Sequence, residues 1–131
     1  REIADAKKLK RPNPVPFVKN RAMRNLQERS NGESALMYFT EEIRENALYL
    51  LDEPENSLSA EFQLELKRFL EASARAYNCQ FIISTHSPFL LSMQDAEIYD
   101  LDATPPRKRA WTELENVRVY RDFFLEHQAD F

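Results

Sequence analysis

The sequence predicts an α/β fold, a mostly parallel sheet with flanking helices, and two apolar runs carry that expectation. The first, Ala47-Leu48-Tyr49-Leu50-Leu51, stops abruptly at Asp52-Glu53-Pro54. The second, Gln80-Phe81-Ile82-Ile83-Ser84, stops at Thr85-His86-Ser87-Pro88. Short apolar runs closed by polar residues read as buried strands. One helix-length stretch lies between them, so the order is strand, polar tip, helix, strand, polar tip, as in a βαβ unit. Ligand-handling residues in such units gather beyond the carboxyl ends of the strands. Both polar tips are therefore expected at one end of the sheet.

The remaining elements follow in chain order. Residues 1–28 are lysine-rich and then proline-rich, with Lys7, Lys8, Lys10 and Arg11 ahead of Pro12, Pro14 and Pro16. Prolines at that spacing forbid a helix and predict an extended or disordered lead-in. Its charge reads as a solvated face, with contact to nucleic acid or to a missing lobe as the alternatives. Ser30 and Glu33 fit a capping box, and a helix is expected from about Ser34 to Arg44 with Leu36, Phe39 and Ile43 on one face. After the first strand, Ser59 makes a good N-cap with Glu61 in the first turn. The helix Ala60 to Tyr77 is expected to bury Phe62, Leu66, Phe69, Ser73 and Tyr77, with Leu70 beside the stripe. Ser87 and Pro88 cap and start a short helix through Met93. Glu97 to Leu101 reads as a further strand, Thr104 to Lys108 as a turn, and Leu114, Val117, Tyr120 and Phe124 as the stripe of a closing helix. Trp111, Phe123 and Phe131 pack on the sheet or against a half not present here, and His127 belongs to surface or packing. Glu55 reads as a solvated acid.

Composition narrows the function. A chain of 131 residues makes one domain at most, and 43% hydrophobic residues can fill a core that is marginal alone at this size. A formal charge of -4 argues against a broad basic surface and against strong non-specific nucleic-acid binding. The single cysteine, Cys79, excludes an internal disulfide and, beside a buried strand, reads as an inert core thiol. No run approaches the ~18 apolar residues of a membrane span and no signal peptide is visible, so the expected setting is cytoplasmic. His86 with scattered acids makes no zinc set. The single glycine, Gly32, weighs most. A phosphate-cradling P-loop needs several glycines, a lysine and a serine or threonine, and the chain has no such segment.

Leu50-Leu51-Asp52-Glu53-Pro54 resembles the Walker B motif of ATP-binding-cassette (ABC) ATPases, with a glutamate after the aspartate. Ser57-Leu58-Ser59 falls where that superfamily has its D-loop, and Ser84-Thr85-His86-Ser87-Pro88 resembles its switch-histidine loop. Upstream, Arg29-Ser30-Asn31-Gly32-Glu33-Ser34 resembles the signature motif of soluble DNA-repair and chromosome-maintenance relatives. Arg29 and Asn31 depart from the transporter form of that motif, which points away from membrane transporters. The order of all four motifs, and the tail Arg121-Asp122-Phe123-Phe124, are most similar to small bacterial AAA/ABC-type ATPases.

The resemblance implies the following roles. Asp52 holds the hydration shell of Mg²⁺, Glu53 polarises the attacking water, and His86 hydrogen-bonds the γ-phosphate of ATP. Ser30, Asn31, Gly32 and Glu33 reach across a dimer interface to the nucleotide held by the partner, where a helix amino terminus suits a phosphate. Ser57, Leu58 and Ser59 touch the partner subunit, although capping alone is enough to explain Ser59.

The expectation is therefore a carboxy-terminal part, residues 29–131, of an ABC-type ATPase domain. Its amino-terminal half would carry the P-loop, and the absence of an initiator methionine before Arg1 fits that view. The whole protein would hydrolyse ATP with Mg²⁺ in an ATP-dependent homodimer, with no membrane partner. Two rival readings are an ATPase subunit of a DNA-repair or phage-defence machine that gates a nuclease or DNA clamp, and a nonenzymatic module that keeps the fold.

Overall fold

The computed structural model describes residues 31–131. The lead-in expected over residues 1–28, Arg29 and the N-cap expected at Ser30 lie outside the described residues. The first four elements are α1 (Asn31–Glu42), β1 (Leu48–Asp52), α2 (Ala60–Ala76) and β2 (Gln80–Ser84). Strands β1 and β2 pair in parallel, from Leu48 opposite Gln80 to Asp52 opposite Ser84. With α2 between them they form the βαβ unit expected from the two apolar runs.

Local chemistry sets the limits of α2. Ser59 has extended backbone and its hydroxyl accepts from the Phe62 N–H at 3.4 Å, while Glu61 and Arg75 lie at the dipole ends that favour their charges. The helix stops at Tyr77, and Asn78 turns the chain at φ 52°, a left-handed conformation that asparagine tolerates. Its inner face buries Leu66, Phe69, Leu70 and Ser73, and Glu65 is buried with them. Phe62 and Tyr77 are only half-buried, unlike the expected stripe. Length explains the difference: 17 residues of helix span ~25 Å, whereas five residues of strand span ~16 Å. Phe62 and Tyr77, near its two ends, still pack against the edges of the core clusters.

The core lies between this sheet and its helices. Leu36, Leu58, Leu66, Leu70 and Leu90 form one cluster, and Ile43, Phe69 and Cys79 form a second. Phe39 and Phe81 pack against both. Phe39 meets Phe69 and Tyr49 edge to face at 5.9 and 5.6 Å, and Tyr49 stacks on Phe81 at 5.5 Å. Such ring pairs add to simple area burial. Helix α1 starts three residues before the expected Ser34 and ends at Glu42. Arg44 leaves the helix because its N–H donates to the Tyr49 hydroxyl at 2.7 Å.

Two expectations need correction. The strands are not buried on both faces: Tyr49, Leu51, Phe81 and Ile83 turn to the core, whereas Leu48, Leu50 and Ile82 are 56, 72 and 56% exposed. Among the described residues the sheet is packed on one face only. The run Glu97–Leu101 does not extend the parallel sheet either. Only β3 (Tyr99–Asp100) forms, paired antiparallel with β4 (Arg107–Lys108) in a separate hairpin that includes the cis Thr104–Pro105 bond. Asp100 ends β3 by accepting the Asp102 N–H at 3.1 Å and an ion pair from Arg109 at 3.1 Å. Lys108 pairs with Glu97 at 2.9 Å across the same hairpin.

Ser87 and Pro88 start α3 (Pro88–Leu91) as the sequence indicates, and the chain leaves the helix at Ser92, just before Met93. A 3-10 turn (Trp111–Glu113) leads into α4 (Glu115–Glu126). Of the expected stripe, Leu114 and Val117 are buried, while Tyr120 and Phe124 are about half exposed. Phe123, Phe124, His127 and Phe131 contact one another on the surface, at centroid distances of 4.7 to 6.3 Å. Among the described residues no helix is long and apolar enough to cross a membrane.

Candidate functional site

The flush register of the two strands brings their polar tips together. Asp52 is the last residue of β1, and Ser84, directly opposite it, is the last of β2. The Ser84 hydroxyl donates to Asp52 Oδ1. One residue on, the Glu53 N–H donates to the Ser84 carbonyl at 2.9 Å and lies 3.3 Å from its hydroxyl. Glu53 itself has φ 43°. A left-handed conformation in a residue other than glycine stores ~1–3 kcal/mol of strain, and such residues cluster at sites where a side chain must be aimed.

The turned backbone directs Glu53 at the second tip. Its Oε1 lies 3.6 Å from His86 Nε2, and its Oε2 accepts from the Asn56 amide at 3.2 Å. The loop between β1 and α2 folds as two successive turns, Asn56 N–H to Glu53 O and Leu58 N–H to Glu55 O, both 3.0 Å, with Ser57 at φ 64°. Leu58 is buried in the leucine cluster and pins that loop. Ser57 and Ser59 stay exposed, Ser59 capping α2. Asn31, Gly32 and Glu33 form the first turn of α1. Ser30 lies outside the described residues.

Three features were not anticipated. Glu55 is not a solvated acid: its Oε1 accepts the His86 N–H at 2.8 Å, and its Oε2 is buried. On the other side of His86, the Asn116 amide of α4 donates to the His86 carbonyl at 2.7 Å. Ser84 joins Asp52 to the Glu53 backbone. Pairing the two runs end to end would have placed Ser84 beside Asp52; no spacing in the sequence signals Asn116.

Cys79 stands apart from this chemistry. It precedes β2, at the opposite end of the strand from Ser84, and donates to the Arg44 carbonyl at 3.0 Å. Burial raises its thiol pKa, with Glu45 adding in the same sense against a backbone hydrogen bond at Ala47. It has the character of a core thiol.

The arrangement places a carboxylate opposite an imidazole, with a second carboxylate adjacent, at the open end of a parallel pair. Among the described residues no group of three or more His, Cys, Asp or Glu is placed to hold a metal ion by itself. Mg²⁺ needs fewer protein ligands, because it keeps waters and takes substrate phosphate oxygens around one or two carboxylates. The exposed Asp52, with only Oδ1 engaged by Ser84, fits that smaller share.

No curated protein matches the chain. The family model of the AAA ATPase domain matches residues 17–91, which include every element from α1 to α3.

Proposed function

The chain belongs to the AAA ATPase domain family, and within it we propose the carboxy-terminal part, residues 29–131, of an ABC-type ATPase whose site is completed across a homodimer. The reaction is ATP + H₂O to ADP + phosphate. The observation that carries this reading is the Glu53 carboxylate 3.6 Å from the His86 imidazole, beside Asp52 and beyond the ends of two parallel strands.

In this mechanism Glu53 accepts a hydrogen bond, and then the proton, from the attacking water as its oxygen bonds to the γ-phosphorus and the bond to ADP breaks. His86 donates to a γ-phosphate oxygen and keeps Glu53 on the water side. Asn56 holds the second Glu53 oxygen, so the base presents one oxygen in a fixed direction. Asp52, oriented by Ser84, would hold the hydration shell of Mg²⁺, whose charge would offset that developing on the phosphate. With Gly32 as the chain's one glycine, the phosphate-cradling loop comes from a segment other than these residues. Ser30, Asn31, Gly32 and Glu33, with the exposed Ser57 and Ser59, would meet the partner subunit, while Leu58, buried in the leucine cluster, anchors the loop that carries the two serines.

Glu53→Gln in the full-length protein tests the reading. Glutamine keeps the shape and one acceptor but cannot take the proton, so phosphate release is expected to fall ~10²–10⁴-fold. ATP binding and ATP-dependent dimerisation are expected to survive, whereas Ser30→Arg blocks dimerisation and leaves binding to the open monomer. Parental hydrolysis by Glu53→Gln would overturn the assignment of the base.

A further inference from the structure

We propose that Glu55 and Asn116 are positioning residues that clamp the His86 main chain from both sides and thereby aim its imidazole at Glu53. The proposal rests on the reading of Glu53 and His86 as the reacting pair. Its starting point is an imbalance at His86. The ring is 78% exposed, so packing does not fix its direction, and its Nε2 lies 3.6 Å from Glu53 Oε1. The main chain of the same residue is held at both polar atoms. Its N–H donates to Glu55 Oε1 at 2.8 Å, and its carbonyl accepts from Asn116 Nδ2 at 2.7 Å.

The two arms come from different parts of the chain. Glu55 sits in the loop after β1, in the turn that carries Glu53, and Asn116 sits in the first turn of α4. A hydrogen bond from a backbone N–H to a carboxylate is charge-assisted and stronger than a neutral one. Its partner oxygen, Glu55 Oε2, is buried with no hydrogen-bond partner among the described residues. Leaving that oxygen without a partner is unfavourable, and a solvated acid at the same place would avoid the penalty. The bond to His86 is what retains Glu55 in this inward position. On the other side, Leu114 and Val117 seat the start of α4 in the core, which gives Asn116 a fixed base. The loop carrying the base and the tail helix thus meet on one peptide unit, and the distance between Glu53 and His86 becomes a property of the fold.

Two measurements on the full-length protein test this. The first is steady-state hydrolysis by Glu55→Ala, Glu55→Gln, Asn116→Ala, His86→Ala and the double variant Glu55→Ala/His86→Ala. Small displacements of a catalytic group cost up to ~10²-fold in rate, so Glu55→Ala is expected to lose 10- to 100-fold in kcat, with KM for ATP unchanged. Glu55→Gln keeps a carbonyl acceptor and is expected to restore most of the rate. Because Glu55 acts through His86, the double variant is expected to be no slower than His86→Ala alone. The second measurement needs no nucleotide. With ¹⁵N-histidine labelling this chain contributes two amide signals, from His86 and His127. The His86 signal is expected to shift upfield and exchange faster in Glu55→Ala, while His127 stays in place.

A parental rate in Glu55→Ala, with His86→Ala impaired, overturns the clamp and leaves the site reading intact. Losses that multiply in the double variant mean that Glu55 serves folding alone, and they also overturn it. A parental rate in His86→Ala removes the premise, and the clamp's catalytic role falls with it. If Glu55→Ala does not fold, Asn116→Ala decides, since its side chain is exposed: an unchanged kcat there refutes the proposal.

Discussion

Leu50 and Leu51 are adjacent, identical and equally apolar by any sequence measure, yet the fold gives them opposite stability effects. Leu51 packs against the cluster of Leu36, Leu58, Leu66, Leu70 and Leu90, whereas Leu50 is 72% exposed. Truncating a buried leucine to alanine costs ~2–5 kcal/mol, and the partial exposure of Leu51 puts Leu51→Ala at the lower end, ~2 kcal/mol. Leu50→Ala leaves no cavity and belongs with surface changes, within about 0.5 kcal/mol. At a urea m-value of ~2 kcal/mol/M, these become midpoint shifts of ~1 M for Leu51→Ala and at most ~0.3 M for Leu50→Ala. Urea titration of residues 1–131, followed by circular dichroism and by the fluorescence of Trp111, measures both. Equal shifts would refute the one-faced sheet and return β1 to a strand covered on both sides.

Two further outcomes follow from the same reasoning. Calorimetric titration of residues 1–131 with ATP and Mg²⁺ is expected to show no saturable site below millimolar nucleotide, because no glycine-rich cradle is present; micromolar affinity would overturn the placement of the phosphate loop elsewhere. Cys79 is expected to react with a disulfide reagent far more slowly at pH 8 in the folded chain than in urea, since burial raises its pKa and hides the thiol. The raised pKa also gives a sign: the stability it contributes is complete below the ordinary thiol pKa of ~8.5 and is lost as pH rises through the folded value. A reaction rate equal in both states would refute the burial.

Much of this was legible because the signals were local. Ser59 and Ser87 cap helices by accepting a backbone N–H three residues along the chain on their hydroxyl oxygens, which is why both helix starts could be read from spacing. The parallel pairing followed from two short apolar runs separated by a helix. Asp52, Glu53 and His86 were singled out because each ends or follows such a run, and the pairing of the runs brings them to one end of the sheet. What failed was non-local. Alternation in β1 is masked by four apolar residues in a row, Leu48 to Leu51, so no sequence pattern marks Leu50 as outward. The run at Glu97 has strand composition, yet Asp100 folds back on Asp102 and limits the ladder to two residues. Glu55 resembles any loop acid until the peptide N–H 31 residues away that donates to its carboxylate is known. Asn116 depends on the docking of α4, which two buried side chains decide.

The geometry at the strand ends therefore depends on register, and register is fixed far from the site. At the starts of the strands, Asn46 and Asn78 both turn left-handed, at φ 53° and 52°, and the Asn78 amide donates to the Asn46 side-chain oxygen at 2.9 Å. Around them the Asn46 N–H donates to the Tyr77 carbonyl and the Gln80 N–H to the Ala47 carbonyl, each at 2.9 Å. Two matching turns joined by a side-chain bond admit one alignment of the chains that leave them. Six residues after each asparagine that alignment sets Ser84 against Asp52. A slip of one residue would reverse the faces of a strand, expose Tyr49 or Phe81, and carry the Ser84 hydroxyl away from Asp52. The Glu53 N–H would then lose its two acceptors on Ser84, and with them the constraint that holds its backbone left-handed. The strain at Glu53 is thus sustained by the whole length of the parallel pair, and the aim of the carboxylate at His86 is set by asparagines at the opposite end of the sheet.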